Sequence, residues 1–284
     1  MAQFTNQAQL TYNGLTVNSN IAVGEIIEVL SVTKTALAST YGSDDGVTYV
    51  ISIVNTGVSA FTGLTVSDDL GGYTFGGGTL YPLNYVDGSA RLFINGQLQQ
   101  NPTLTAGPPL VFSDISVPAN SNVIIIYETS VTAAAPLEAD GSVTNTATVS
   151  GGTLSAPITD SETVEAESTP DLTITKTIEP VPVAENGVVT YTFIIQNRGN
   201  TAALATDNVI LRDTFDPVLS DITVTLDGAV LAEGTGYTYD EVTGVFATNV
   251  GIITVPAAQY TRDPETGLWI IDPAVTTLVV TGTI

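Results

Sequence analysis

Two stretches of this chain repeat one another at fixed spacing, and no other feature constrains the fold as strongly. Thr33-Lys34-Thr35 matches Thr175-Lys176-Thr177. Fourteen residues beyond each lysine stands a Thr-Tyr pair, Thr48-Tyr49 and Thr190-Tyr191. Twenty-one residues beyond each begins an Asn-x-Gly turn, at Asn55 and at Asn197. An apolar run ending in aspartate follows, Leu64-Thr65-Val66-Ser67-Asp68 in one copy and Val209-Ile210-Leu211-Arg212-Asp213 in the other. Inside both copies apolar and polar residues alternate: Val47, Tyr49, Ile51 and Ile53 in the first, Val189, Tyr191, Phe193 and Ile195 in the second. That period of two marks half-buried strands, and no long stretch carries a helical period. Asn13-Gly14, Asn95-Gly96, Asp227-Gly228 and the Asp263–Gly267 segment supply hairpin turns. The pattern predicts an all-β protein of two tandem immunoglobulin-like antiparallel β-sandwiches.

The repeat is offset at the ends. Val143-Thr144-Asn145-Thr146-Ala147-Thr148-Val149, near the close of the first copy, has a partial match in Phe4-Thr5-Asn6-Gln7-Ala8-Gln9-Leu10. The segment Thr276–Ile284 corresponds to Asn122–Val131 of the first copy, the strand before the one bearing Asn145. The division expected is therefore an N-terminal donor strand or hairpin (1–28), a first sandwich (29–167), and a second (168–284) lacking its final strand. A sandwich short of one strand exposes an apolar slot and unpaired backbone groups. An alternating segment of another chain can fill such a slot by strand addition. Phe4, Asn6, Ala8, Leu10 and Tyr12 form one face of the leading strand, with Thr5, Gln7, Gln9 and Thr11 on the other. Because the donor end and the open end differ, the contact does not close on itself and builds an open head-to-tail filament. The plainer reading is an N-terminal arm lying on its own first sandwich.

Composition narrows the chemistry. The chain has 284 residues, 29 acidic and 6 basic side chains, a net charge of −23, and neither Cys nor His. Thiol catalysis, disulfides, Cys/His metal sites and histidine acid–base chemistry are excluded. The charge disfavours nucleic acid and anionic membranes as partners. No cofactor, no metal and no membrane-spanning segment is expected, and the N-terminus has no signal-peptide pattern, so the export route is open. Acidic turns such as Asp44-Asp45 and Asp263-Pro264-Glu265 have no calcium-loop spacing.

Only two lysines occur, Lys34 and Lys176, at equivalent positions. By alternation each lies on the apolar face of its strand, as do Asp68, Asp213 and Asn145. A lone charge on a core face is costly. One explanation is a buried Lys–Asp ion pair with an Asn hydrogen bond. The other is chemical: burial favours a neutral amine and a neutral carboxyl, and the amine attacks the Asn side-chain carbonyl, releasing ammonia and leaving an isopeptide bond.

Lys-Thr on the first strand, Val-Thr-Tyr, Asn-x-Gly, an Asp closing a Val-rich strand and then Thr-Asn-Thr-Ala-Thr-Val together resemble the bacterial and archaeal surface repeat called domain of unknown function eleven. The resemblance spans both copies. It implies an immunoglobulin-type sandwich whose Lys and Asn form an internal isopeptide bond, here Lys34 with Asn145, and Asp68 as the proton shuttle. In the second copy it supplies Lys176 and Asp213 but no Asn, which departs from the family pattern; Asn6 of the next subunit is the expected partner. The short two-repeat form without a signal peptide is similar to proteins of spore-forming anaerobes, implying a spore or cell-surface appendage. The function expected is thus a structural subunit of an extracellular or spore-surface filament, its partner another copy of itself, with an anchor or cap protein at its ends. It is not an enzyme beyond a single self-directed turnover. The alternatives are a cell-surface adhesin or carbohydrate-binding module, with Tyr73, Phe75, Tyr81, Tyr85 and Trp269 as candidate sugar-stacking rings, and, last, a hydrolase using paired carboxylates.

Overall fold

A computed structural model describes residues 2–284; Met1, the first residue of the 1–28 extension, lies outside the described residues. Among the described residues the fold is all-β apart from one short 3-10 turn, Ala205–Asp207. The alternating runs become long strands with every second side chain inside: in Gly46–Asn55 and in Val188–Asn197 buried positions alternate with partly exposed ones. Asn13-Gly14, Asn95-Gly96 and Asp227-Gly228 all take positive φ at both residues, between 46° and 82°. This is the backbone that a two-residue hairpin needs, and Asn or Asp followed by Gly reaches it at least cost.

The first sandwich packs two sheets. One runs in the order Gln97–Leu98, Arg91–Ile94, Ser121–Val131, Gly46–Asn55, Leu30–Ala36, with Leu83–Tyr85 also paired to Ser121–Val131. The other runs Thr103–Thr105, Leu110–Val117, Phe61–Asp68, Ser142–Gly151, Ile158–Ala166, Thr40–Tyr41, antiparallel except for the last pair. Between them lies a continuous core that includes Tyr49, Ile51, Val66, Phe112, Tyr127 and Val149.

The second sandwich repeats the first sheet closely, in the order Leu172–Glu179, Val188–Asn197, Ala274–Thr283, Ser220–Leu226, Ala229–Leu231. Its opposing sheet has three strands, Arg212–Thr214, Val245–Thr248 and Tyr237–Tyr239. The aspartate strand is where the two sandwiches diverge. Phe61–Asp68 is bonded on one edge to Leu110–Val117 and on the other to Ser142–Gly151. Arg212–Thr214 is bonded to Val245–Thr248 alone among the described residues. With a ladder on one edge only, the strand shortens from eight residues to three.

The N-terminal segment folds as a hairpin rather than a lone strand. Ala2–Asn6 pairs with Ala22–Ile26, and Gln9–Tyr12 with Leu15–Asn18. The single strand expected from Phe4 to Tyr12 is divided at Gln7-Ala8. The register steps from Asn6 opposite Ala22 to Gln9 opposite Asn18, so the returning strand carries one extra residue, a bulge. Ser19 fixes that bulge: the Ala8 amide donates to its Oγ at 2.9 Å, its own amide donates to the Ala8 carbonyl at 2.8 Å, and Gln7 Nε2 donates to its carbonyl at 2.8 Å. Leu10 faces Val17 and Tyr12 faces Leu15 on one side, while Thr11 and Thr16 touch on the other. Phe4, Leu10, Tyr12, Leu15 and Val17 are all exposed.

A second hairpin, Gln259–Arg262 with Trp269–Asp272, belongs to the second sandwich and reaches over the first. The Trp269 amide donates to the Ala133 carbonyl at 2.9 Å, and Tyr260 and Ile271 pack against the first core. Gly267 at its tip has a φ of 72°, and a Cβ there would stand 2.4 Å from the Phe75 ring. Only glycine satisfies both demands.

Candidate functional site

The cross-strand ladders place the two lysines identically. Lys34 is paired with Ile51 and Lys176 with Phe193, each on the edge strand of its sheet. Each ammonium lies 4.5 Å from the ring centre of the equivalent tyrosine, Tyr49 or Tyr191. Each is also ion-paired to the aspartate of the facing sheet, Lys34 to Asp68 and Lys176 to Asp213.

In the first sandwich this pair is sealed: both side chains are 0% exposed. The Tyr127 phenol stands at the centre. Lys34 Nζ donates to its oxygen at 2.7 Å, its own O–H donates to Asp68 Oδ2 at 2.5 Å, and Asn145 Nδ2 approaches the same oxygen at 3.5 Å. The Leu70 amide donates to Asp68 Oδ1 at 3.1 Å, so the carboxylate has donors on both oxygens. Asn145 is fully buried, and its Oδ1 has no hydrogen-bond partner. An unpaired buried carbonyl forfeits about 1–3 kcal/mol, and the same asparagine shares the Tyr127 oxygen with the Lys34 amine. Burial pushes the Lys34 amine below its ordinary value, against the opposing pull of Asp68. Burial and the Asp68 charge push the Tyr127 phenol far upward, so it stays protonated. The hairpin Ser142–Gly151 with Ile158–Ala166 closes the site: it brings Asn145, and Asp160 Oδ2 accepts from the Lys34 amide at 2.7 Å.

The second sandwich has the same pair in the open. The Lys176 side chain is 40% exposed and Asp213 19%. Every residue of Leu172–Glu179 is exposed, including Leu172, Ile174 and Ile178 on the lysine face. A groove lined by Leu172, Ile174, Ile195, Val209, Leu211 and Ile253 runs alongside. The residue across from Tyr191 is Val280, where the first sandwich has Tyr127 across from Tyr49. No asparagine approaches this pair within the hydrogen bonds of the described residues, and Asn6 lies exposed on the N-terminal hairpin.

Of the residues singled out from sequence, Lys34, Asp68 and Asn145 meet around one phenol, Lys176 and Asp213 meet each other, and Phe4, Asn6, Ala8, Leu10 and Tyr12 are exposed together. Sequence reasoning missed Tyr127, because a tyrosine among Val123, Ile125 and Thr129 reads as ordinary core. Of the aromatic residues weighed as a sugar platform, three surround the Arg262 guanidinium, 4.3 Å from the Phe75 ring centre, 4.9 Å from Tyr73 and 5.9 Å from Trp269, while Tyr85 is buried and Tyr81 packs against the first core. Asp263 and Asp240, in acidic turns, accept from backbone amides of their own loops, which lowers both carboxyls. Among the described residues no group of three or more carboxylates is placed to hold a metal ion, and no helix is long and apolar enough to cross a membrane.

No family model matches the chain, and no curated protein matches it. Among solved structures it is similar to the RrgB pilus protein from Streptococcus pneumoniae, at 11% identity and a TM-score of 0.36, over 94% of this chain and 45% of that one. It is similar to the C-terminal fragment of the major pilin of Streptococcus agalactiae at 10% identity and a TM-score of 0.34, over 87% of this chain and 91% of that fragment. Over 49% of its length it is similar to the collagen-binding domain from a Staphylococcus aureus adhesin, at 10% identity and a TM-score of 0.31. The chain spans under half the length of the pneumococcal structure, and likenesses this distant assign it neither a role nor a site.

Proposed function

We propose that the protein is the structural subunit of a self-assembling fibre, extracellular or on a spore or cell surface, that polymerises head to tail. The N-terminal hairpin of one molecule fills the open side of the second sandwich of its neighbour. Lys–Asn amide bonds then staple the assembly, Lys34 to Asn145 within a subunit and Lys176 to Asn6 between subunits.

The observation that carries this reading is the contrast between the two Lys–Asp pairs. The first is covered by a hairpin bearing Asn145; the second is uncovered, beside a strand bonded on one edge. The exposed N-terminal hairpin repeats the covering one, with Phe4, Asn6, Ala8 and Leu10 in the places of Val143, Asn145, Ala147 and Val149. In the first sandwich Ala147 pairs with Asp68 and Val149 with Val66. The equivalent register sets Ala8 against Asp213 and Leu10 against Leu211. Docking would bury Leu10, Tyr12, Leu15 and Val17, at about 1.5–3 kcal/mol for each large apolar side chain.

The chemistry balances without a cofactor. The lysine ammonium passes one proton to the paired carboxylate, giving a neutral amine and a carboxylic acid. The amine nitrogen attacks Cγ of asparagine, the carboxylic acid gives its proton to the side-chain amide nitrogen while its other oxygen takes one from the attacking nitrogen, the C–N bond to the former amide nitrogen breaks, and ammonia leaves. Each bond removes about 17 Da, the mass of that ammonia. Proximity in a dry site supplies the main drive.

Boiled samples in SDS test the proposal. Wild-type protein should run as a ladder of multimers, and Asn6→Ala or Lys176→Ala should collapse it to monomers. The intact mass of the Lys176→Ala monomer should fall short by one ammonia, a deficit that adding Asn145→Ala abolishes. Wild-type protein that is monomeric in boiled SDS and has its full calculated mass would refute the crosslinks. Residue 6 found packed within its own chain would refute the polymer.

A further inference from the structure

The joint between the two sandwiches inside one chain has a counterpart wherever a second sandwich meets the first sandwich of the next molecule, and the residues at the two joints can be compared one by one. Inside the chain, the Tyr41–Asp45 turn of the first sandwich faces Asp171, Arg198 and Asn200 of the second across a shared cavity. The equivalent turn of the second sandwich is Val183–Gly187. The match is structural as well as sequential: Asp44 and Asn186 both take the left-handed backbone, with φ of 63° and 56°. At the other side of the joint, the Arg198 amide donates to the Asp171 carbonyl at 2.8 Å, and the Thr56 amide donates to the Val29 carbonyl at 2.8 Å. Val29 and Val58 thus stand where Asp171 and Asn200 stand.

Most of the exchanges remove charge or polarity; Ser43 runs against them by becoming Glu185, and Arg198 becomes Thr56. Tyr41 and Gly42 become Val183 and Ala184, Asp44 and Asp45 become Asn186 and Gly187, Asp171 becomes Val29, and Asn200 becomes Val58. Asn200 has a partner inside the chain, donating to the Leu137 carbonyl at 3.0 Å. Val58 has none and is 88% exposed. Around it, Val29, Gly57, Ala60 and Phe61 line a groove at the foot of the first sandwich. Just before the facing turn Val181 is 75% exposed, and within it Ala184 is exposed. Glu28 and Glu185 flank the two patches.

We infer that the foot of the first sandwich, centred on Val58, is an apolar docking surface for the Val181–Ala184 turn of the preceding molecule's second sandwich. This deepens the filament reading and rests on it. Two halves of one chain are held by their linker and need no adhesive joint, so charges there are tolerated. Separate molecules that each carry a net charge of −23 repel, and a joint with fewer charges and more apolar area offsets that repulsion. Exposed apolar patches of this kind mark association sites, and the contact is heterologous, as an open polymer requires.

The absence of native cysteine permits a clean test. In a Lys176→Ala background, Val58→Cys together with Ala184→Cys should give SDS ladders that vanish on adding a reductant. Val58→Asp, in otherwise wild-type protein, should slow elongation about tenfold or more, equivalent to about 1.4 kcal/mol, while the ammonia deficit from Lys34–Asn145 persists as proof that the first sandwich has folded. The surface is refuted if Val58→Asp elongates like wild type and the double cysteine chain yields no reductant-sensitive ladder. Wild-type protein that never polymerises refutes the filament, and this joint with it.

Discussion

The Tyr127 oxygen touches the nitrogen that would attack, the carboxylate that would take its proton and the amide that would lose ammonia. Tyr127→Phe keeps the ring and removes that bridge. It is expected to slow formation of the Lys34–Asn145 bond about 10²-fold, the lower range for a positioned proton-transfer group, as read from the time course of the ammonia deficit. The Lys176–Asn6 bond should keep its rate, because Val280 holds the corresponding place. A second outcome concerns pH. In Asn145→Ala protein, which cannot crosslink at that site, Lys34 is charged in both folded and unfolded states at low pH, and its burial then counts against folding. As pH rises past its lowered folded value, the folded state sheds the proton first while the unfolded state, near 10.5, retains it. The unfolded state then binds more protons, and stability rises with pH. Above about 10 the raised phenols of Tyr49 and Tyr127 reverse the sign, since the folded state now holds protons that the unfolded state loses. Denaturant melts across this range should show a maximum; a flat profile would refute the Lys34 contribution. Lys34, Asp68 and Asn145 were legible in the sequence because polar residues on an apolar face break the alternation around them. Tyr127 was not, because its role depends on which strand lies opposite.

Among the elements, the N-terminal hairpin is the one on which the proposed association depends. Its apolar side is continuous from Leu10 to Val17 across the Asn13-Gly14 turn. Leu10→Asp should therefore abolish association while the deficit from Lys34–Asn145 is retained, since the first sandwich contains none of the hairpin. Protein lacking residues 1–26 should remain monomeric. Adding the isolated 2–26 peptide to it at high concentration should raise the melting temperature by mass action. No shift at saturating peptide would count against strand donation. The alternation and the turn could be read from residues alone, but the bulge at Gln7-Ala8 could not, because Ser19 sets it through side-chain and backbone bonds from the returning strand. The shortened Arg212–Thr214 strand escaped for a related reason: Val209-Ile210-Leu211 has strand composition, but strand length follows the neighbours available to pair with it.

At the scale of the molecule, the net charge of −23 would keep fibres of the proposed kind apart, and raising ionic strength should make them gather side by side, seen as a rise in light scattering without a change in the SDS ladder. The Gln259–Asp272 hairpin has a different reach. It spans the joint within a subunit, gripping Ala133 and the Phe75 ring. The first sandwich has only Pro118, Ala119 and Asn120 between the two corresponding strands, too short to span anything. Every second joint in a polymer of this chain is therefore left without a brace. In the proposed polymer each molecule would thus be a braced pair joined to the next by the unbraced contact, so bending would concentrate there once per molecule while the strand-donated links resist stretch along the length.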